Sequence, residues 1–567
     1  MKKIVNMKRI AAALITAATA SFCIFGVQAE TLASPAVKAV RPESSEAYQA
    51  YISGDISFDE NGVKPSPYVP SGTVLQPSGS LPASYKTITT PIRTQGSYNT
   101  CWAFSGIGAM EAFLSHDGKG DHDLSENHLA WWSTKAYNSS GIGWQMNDLD
   151  YGGYSKIHAG YFASWQGPKT ESELPYYNSG NNDVPYNMDD SYTIYGATGM
   201  IYVNNDITSI KTAIYKYGGI ATSYNNGNGY NSDRSAYYQG GTATRFSGHA
   251  ITVIGWDDNY SRNNFDASDR PEGDGAWLIK NSWGDGVGDN GYLWVSYYDR
   301  YIFDVYTWGA NIAFTSVRTM NNYDRLYQNE KYGATFYTFL MDDNYDYLES
   351  AVFANVFDFD DEHTHLQEVI FETQTTDANY EIYYIPLKNG KPDKNESSWT
   401  FLTRGKVDHT GYICADVSGT IDVGGKAAIG VRITAPEYDF AKFGVDEWFM
   451  DDQGTYLFMP EMQRNKSFVI ANNNVYDMVD VYGANDDKIG GLIVLKAVAS
   501  SYVAGDADGD GIVSADDALA VLREAVGLGA GLTQIQVDSC DVSYDGILTS
   551  EDALLILRKS SELLGEF

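Results

Sequence analysis

The sequence predicts a multidomain protein: an α+β domain over residues 81–315, an all-β sandwich over 316–500 and a small all-α, calcium-binding unit over 502–567. Three observations carry this reading. A continuous helix-prone run from Cys101 to Leu114 is followed, later in the same stretch, by short apolar strands at Ala250–Trp256, Ala276–Lys280 and Tyr292–Tyr298. Beyond residue 316, segments such as Tyr380–Ile385 and Ala427–Ile433 are strand-like, at spacings that suit a sandwich. The C-terminal stretch repeats a unit made of an acidic loop and an apolar helix. A chain of 567 residues has room for three or four domains of about 150 residues each.

The first 80 residues are not expected to belong to these domains. Lys2, Lys3, Lys8 and Arg9 flank or precede a run of apolar and small residues over 10–27, and Val27-Gln28-Ala29 resembles a leader cleavage site. Residues 1–29 are therefore expected to be a signal peptide and the protein to be secreted. An uncleaved membrane anchor is the alternative, disfavoured by the many Ala and Thr residues of the run. No later apolar run approaches the roughly 20 residues of a membrane helix. Residues 30–80 are rich in Ser, Pro and Gly, with Pro65, Pro67, Pro70 and Pro77, and are expected to be a pro-segment or linker with little packed structure.

Composition narrows the function classes. The 14% aromatic content, with 43 Tyr, argues against disorder. A formal charge of −34, made more negative once the four basic residues of the leader are gone, repels nucleic acid and anionic membranes. Outside the leader only Cys101, Cys414 and Cys540 remain, an odd number in different regions, so no disulfide framework is expected. Cys414 and Cys540 read as small buried hydrophobes.

Cys101 reads differently because of its company. It opens a predicted helix, with Gln95 six residues before it, and two later segments add His249 (Ser247-Gly248-His249-Ala250) and Asn281 (Lys280-Asn281-Ser282-Trp283-Gly284). A thiol, an imidazole and an amide in that order are the inventory for acyl transfer through a thiolate. The helix dipole and a nearby imidazolium are expected to lower the Cys101 pKa. His249 would act as acid and base, Asn281 would orient it, and Gln95 with the Cys101 N–H would hold the oxyanion. Trp283 would cover the His–Asn contact. The other histidines read as ordinary residues; His363 and His365 follow an acidic stretch, and a solvated loop explains them better than a metal site.

These segments resemble the papain family of cysteine proteases. The likeness includes Gln95, Cys101-Trp102-Ala103-Phe104-Ser105, the Leu124-Ser125-Glu126 that follows, Gly248-His249-Ala250, Trp277 to Gly284, and Gly288-Asp289-Asn290-Gly291-Tyr292. It covers roughly residues 80–300. It implies a helical half packed on a β-rich half with the substrate cleft between them, peptide-bond hydrolysis, no cofactor for catalysis, and a protein or peptide as substrate. Tyr151-Gly152-Gly153 resembles the strand that pairs with substrate in this family, which makes Gly153 a substrate-binding candidate beside Trp283. One departure stands out: Tyr98 and Asn99 occupy the places where the family has Cys and Gly, so the disulfide that braces the oxyanion loop is absent.

In the C-terminal repeats, Asp506, Asp508, Asp510, Ile512 (through its carbonyl) and Asp517 follow a calcium-loop pattern, and Asp541, Ser543, Asp545, Ile547 and Asp552 repeat it. Ser543 is the weaker ligand. A single loop of this kind could be a solvated acidic turn; two in register, each leading into an Asp-Ala-Leu helix, are not. Residues 504–563 resemble a dockerin module. That resemblance implies two bound Ca2+ ions and a cohesin partner on a cellulosome-like scaffold, contacted through Ala515, Asp516, Ser550 and Glu551. The middle region, with segments such as Ser350-Ala351-Val352-Phe353, resembles the lectin-like sandwich that follows papain-type domains in bacterial surface proteases. Its aromatic residues could stack on carbohydrate or simply fill the core. The expectation is an extracellular, scaffold-associated endopeptidase. The rivals are a noncatalytic scaffold-bound subunit and an acyl transferase of transglutaminase-like chemistry.

Overall fold

The computed structural model describes residues 37–567 except 41–47, 51–52, 56, 59–68, 134–151, 177–193, 244, 305–308, 321–323, 343, 448, 451–455, 459–462, 482–490, 510–511, 544, 562 and 565–566. The expected leader, Tyr151 and the candidate ligand Asp510 lie outside the described residues. At the centre of the first domain is the helix Cys101–His116, in which every residue from Cys101 to Leu114 is buried. A helix that is apolar all round belongs inside a domain. Glycines let this one approach its neighbours closely: a Cβ on Gly108 would lie 2.5 Å from the Thr252 hydroxyl, and one on Gly106 would lie 2.7 Å from the His158 side chain.

Against the helix lies an antiparallel run of strands, Ile220–Asn225, Gly248–Asp257, Ala276–Lys280 and Tyr292–Ser296, hydrogen-bonded in that order. Residues Gly248 to Trp256 are all buried, which explains their near-continuous apolar sequence. The helices Glu126–Trp132, Ser155–Ala163 and Ile207–Tyr217 complete the domain. Ser125 caps the first of these by accepting from the His128 N–H at 2.9 Å, as the Leu-Ser-Glu sequence led one to expect.

A buried ion pair ties four segments together. The Lys280 ammonium meets the Glu111 carboxylate at 2.8 Å and the Thr90 hydroxyl at 2.5 Å, while the other Glu111 oxygen accepts from the Leu124 N–H at 3.0 Å. Lys280 is the residue before Asn281, so this network anchors the strand end that carries the candidate orienter.

The second domain has two stacked sheets. One is six-stranded, in the order Thr400–Lys406, Asn379–Ile385, Gly425–Thr434, Ser350–Phe359, Ser467–Ala471 and Asn474–Asp477. Its inner face meets the other sheet in a core where the Phe353 and Phe443 rings stack at 4.5 Å and Phe371 continues the stack. The boundary expected at residue 315 falls inside one strand, Ile312–Thr319, which pairs with Tyr195–Tyr202 of the first domain. Gly411 and Tyr412 of the sandwich pair in turn with Ile201 and Met200. Among the described residues, sixteen strands thus form one hydrogen-bonded sheet running through both domains. Cross-strand pairing satisfies backbone groups that a linker would leave to water.

Within residues 30–80 the described residues include two strands that their composition does not suggest. Val37–Val40 is a strand paired with Phe336–Asp342 of the sandwich, and Val37 is fully buried in the second core. Ser57–Phe58 pairs in parallel with Arg245–Phe246, just before the His249 strand. The Pro-rich composition missed this because both strands are short and borrow their partners from other domains.

The C-terminal unit contains the helices Ala515–Ala525, Gln534–Cys540 and Ser550–Ser560 around a small core of Ala518, Val521, Cys540, Val542, Ala553 and Ile556. Both repeat helices open with a capping box: Ser514 with Asp517, and Thr549 with Asp552. Lys559 reaches Asp416 of the sandwich at 3.5 Å.

Candidate active site

Cys101 is the first residue of its helix, and His249 is the second residue of its strand. Two side-chain bonds fix the helix on that strand: Ser105 Oγ donates to the Ile251 carbonyl at 2.6 Å, and Thr252 Oγ1 donates to the Ser105 carbonyl at 3.1 Å. Backbone N–H groups of Ala250, Trp102 and Cys101 itself lie near the Cys101 sulfur and favour its anion. The thiol therefore lies against the residue that follows His249.

His249 Nε2 and Asn281 Oδ1 are 2.8 Å apart. Because the Asn281 oxygen also accepts from the Ser282 N–H at 2.8 Å, it is fixed as an acceptor, and Nε2 must carry the proton. Nδ1 is left as the basic nitrogen. The Trp283 ring stacks on the imidazole at 4.7 Å between centroids, and Tyr224 meets it edge-on at 5.8 Å. All of Cys101, His249 and Asn281 are buried.

Burial sets the electrostatics against the sequence expectation. Desolvation pushes the Cys101 thiol up to about 11 despite the three backbone donors, and pushes His249 down to about 4 despite the Asn281 bond. The helix terminus does not win, because taking a sulfur anion out of water costs more than a partial dipole charge returns. Burial thus favours the neutral form of each group.

Gln95 is held from every side. Its N–H donates to the Ser282 carbonyl at 2.8 Å, its Oε1 accepts from Ser282 Oγ at 2.6 Å, and its Nε2 donates to the Tyr98 carbonyl at 2.7 Å. An amide nitrogen has two hydrogens, so one remains to meet an oxyanion. Gly153 lies against Trp102, the residue after the thiol; a Cβ there would sit 2.4 Å from the indole. The structure thus gives Gly153 a packing reason in the place where a substrate-pairing glycine was expected.

One residue escaped the sequence reading. The Tyr176 hydroxyl bridges the two ends of the oxyanion loop, 2.6 Å from Thr100 Oγ1 and donating to the Gln95 carbonyl at 3.0 Å. Its ring packs edge-on against Phe104 at 4.9 Å. This cross-link stands where the family disulfide is missing. No sequence signal announces it, because Tyr176 is distant in the chain and ordinary in type.

Comparisons with known proteins agree with this geometry. A family model described as papain family cysteine protease matches residues 81–303, and one described as lectin like domain matches residues 326–499. The crystal structure of the cysteine protease and lectin-like domains of Cwp84, a surface layer associated protein of Clostridium difficile, superposes with a TM-score of 0.70 at 32% identity, covering 82% of this chain and 99% of that one. The chain belongs to the papain family of cysteine proteases. It joins a protease domain of that family to a β-rich lectin-like domain. A form of clostridial Cwp84 after propeptide cleavage aligns at 33% identity with a TM-score of 0.65, over 74% of this chain and 99% of that one. Digestive cysteine proteinase 3 of Homarus americanus is 28% identical over 218 residues, 37% of this chain and 59% of the relative. The chain spans about six-tenths of the length of that relative and of a cysteine protease of Blomia tropicalis, 62% of which it covers.

The C-terminal loops were read as calcium sites. In the first, ligand atoms of Asp506, Asp508 and Asp517 lie within 4.8 Å of one another, a donor set and spacing that suit a hard cation. In the second, Asp552 accepts from the Ser543 and Thr549 N–H groups at 2.9 and 2.7 Å, and Asp541 accepts from Gly546 at 2.8 Å. Ile512 and Ile547 hold matching exposed places, and Ala515, Asp516, Ser550 and Glu551 are exposed at the starts of the two helices.

Two outcomes follow. A pH profile of kcat/KM should lose its acid limb near 4 rather than near the ordinary imidazole value of about 6.5, since burial favours neutral His249 and the pair needs one proton in total. Tyr176→Phe should lower kcat about tenfold with a smaller effect on KM, because an unbraced oxyanion loop is felt mainly in the transition state. Steady-state kinetics on a peptide substrate checks both.

Proposed function

We propose that this chain is an extracellular cysteine endopeptidase that cleaves peptide bonds through a thioester on Cys101. The observation that carries the reading is the 2.8 Å His249–Asn281 bond on the strand to which the Cys101 helix is fixed by Ser105 Oγ at 2.6 Å. With Nε2 protonated, Nδ1 takes the thiol proton as sulfur attacks the substrate carbonyl. The carbonyl electrons move to oxygen, which meets the Cys101 N–H and the remaining Gln95 hydrogen. The imidazolium then protonates the leaving amine, the carbon–nitrogen bond breaks, and the acyl group stays on sulfur. Water attacks the thioester while His249 takes its proton, and the acid departs as the thiol is restored. In this reading Trp283 shields the His249–Asn281 bond from water, and the Gly153 backbone pairs with the substrate main chain.

Residues 30–80 act as a pro-segment. The strand Ser57–Phe58, paired with Arg245–Phe246 a few residues before His249, and the strand Val37–Val40 in the sandwich sheet support this. The likeness to a surface layer associated protein supports action outside the cell. Among the described residues no helix is long and apolar enough to cross a membrane.

The C-terminal unit is read as a dockerin. Asp506, Asp508, Ile512 and Asp517 would hold one Ca2+, and Asp541, Ser543, Asp545, Ile547 and Asp552 a second; bound ions would replace the loop's internal hydrogen bonds as its cross-links. The exposed Leu519 and Leu522 recur as Leu554 and Leu557, giving each repeat helix an apolar surface beside Ala515, Asp516, Ser550 and Glu551 for a cohesin-type partner.

Hydrolysis of a mixed fluorogenic peptide library should require thiol reductant and vanish in Cys101→Ala. A silent wild type would leave either a chain held latent by residues 30–80 or the binding-subunit reading, which removal of residues 30–80 separates, and transfer to an added amine in preference to water would mark a transferase. Calcium titration of the full chain should show two sites, the first tighter by about tenfold, and chelation should melt the C-terminal helices first. Heat uptake by neither loop would remove the dockerin reading.

A further inference from the structure

The wall of the site beyond Trp283 carries a cation that the reaction does not use. Arg234 is exposed, and its guanidinium carbon lies 5.5 Å from the Trp283 ring centroid and 4.7 Å from that of Tyr230. Trp283 in turn stacks on His249, the group that protonates the leaving amine. Among the described residues Arg234 forms no ion pair, although the chain holds 73 acidic residues against 39 Lys and Arg. Its neighbour Asp233 is already occupied by the Ser235 N–H and hydroxyl, at 3.0 and 2.7 Å.

The backbone that presents Arg234 is strained and pinned. Its φ is +61°, in the left-handed region that costs a residue with a Cβ roughly 1 kcal/mol or more. Glycine would relieve that strain. The turn is held by the Arg234 N–H to the Asn231 carbonyl at 3.1 Å, by Asn231 Nδ2 to the Asn264 carbonyl at 2.9 Å, and by the Trp294 N–H to the Ser235 carbonyl at 2.9 Å. A rigid turn that keeps an arginine where glycine would fit better, on two aromatic faces and without a counter-charge, is a cation held ready for an anionic group.

We propose that Arg234 selects an acidic side chain on the leaving-group side of the scissile bond, at the second or third residue beyond it. The chain of stacked rings puts the guanidinium within about 10 Å of the imidazole, a span that two to three extended residues cover at about 3.4 Å each. The strongly negative protein would otherwise repel acidic substrates, so a lone cation beside the leaving group decides which of them can dock. This inference rests on the hydrolase reading.

Peptides differing only by Asp, Ala or Lys at those positions, assayed on the full chain, should be cleaved with kcat/KM at least about fivefold higher for Asp than for Lys. Salt should erode the ratio. Arg234→Gly should bring it close to one, and Arg234→Lys should restore most of it. A merely structural role, in which Arg234 props Trp283, would lower all three peptides alike and leave the ratio unchanged; that result, or a wild type blind to charge, overturns the proposal. If no peptide is cleaved, either the full chain is latent or the hydrolase reading fails, and binding of the same peptides to Cys101→Ala then decides the role of Arg234. Charge-dependent affinity that Arg234→Gly abolishes upholds the role of Arg234, and charge-blind binding ends it.

Discussion

The site depends on the contact between one helix and one strand. Cys101 and His249 come from segments far apart in the chain, and neither carries anything that reaches for the other. They meet because Ser105 Oγ donates to the Ile251 carbonyl, Thr252 Oγ1 donates to the Ser105 carbonyl, and Gly108 lets the helix close on Thr252. A buried interface of this kind has few alternative packings, since a single added methyl would collide with side chains that have nowhere to go. The strand end is held separately by Lys280 and Glu111, so Asn281 is fixed on the same frame as the helix it serves. Breaking such a pair by removing one partner strands a buried charge, which is why the frame tolerates little change.

Burial has a chemical consequence as well as a structural one. It excludes water from the imidazole and amide, and it also removes the solvation that a resting thiolate would need. Backbone N–H groups near the sulfur offset part of that cost. The oxyanion loop follows the same economy. Where the family has a disulfide, this chain uses the Tyr176 hydroxyl, backed by Ser282 on Gln95. Hydrogen bonds of this sort do not depend on the redox state of the surroundings, which agrees with Cys101, Cys414 and Cys540 forming no disulfide among the described residues.

The two large domains are one hydrogen-bonded body. Strand Ile312–Thr319 belongs to the protease by its pairing with Tyr195–Tyr202 and leads straight into the sandwich, which returns Gly411 and Tyr412 to the same sheet. Ile370, Tyr412, Val494 and Val498 of the sandwich lie in the core cluster of the protease. Two described N-terminal strands also join this body, with Val37 in the second core and Ser57–Phe58 paired to Arg245–Phe246. Hinge motion between domains needs an interface that can be broken cheaply, and a shared sheet with a shared core is not one.

What the sequence determined by itself was the chemistry and the local structure. The helix at Cys101, the cap at Ser125, the buried strand at His249 and the two acidic loops are all written in short-range patterns, because propensity, capping and apolar periodicity act over a few residues. The sequence could name Cys101, His249, Asn281 and Gln95 as a set, and it could see that a disulfide was missing. It could not see Tyr176, the Ser105–Thr252 clamp or the stack of Arg234 on Trp283, because each pairs residues of ordinary type across long stretches of chain. Nor could it fix the sign of the Cys101 shift: the dipole is readable from the helix start, but desolvation depends on how many other segments cover the sulfur. Tertiary structure alone also joined the domains through one strand, because β-pairing takes its partners from wherever the fold brings an edge, and no local pattern records which edge that will be.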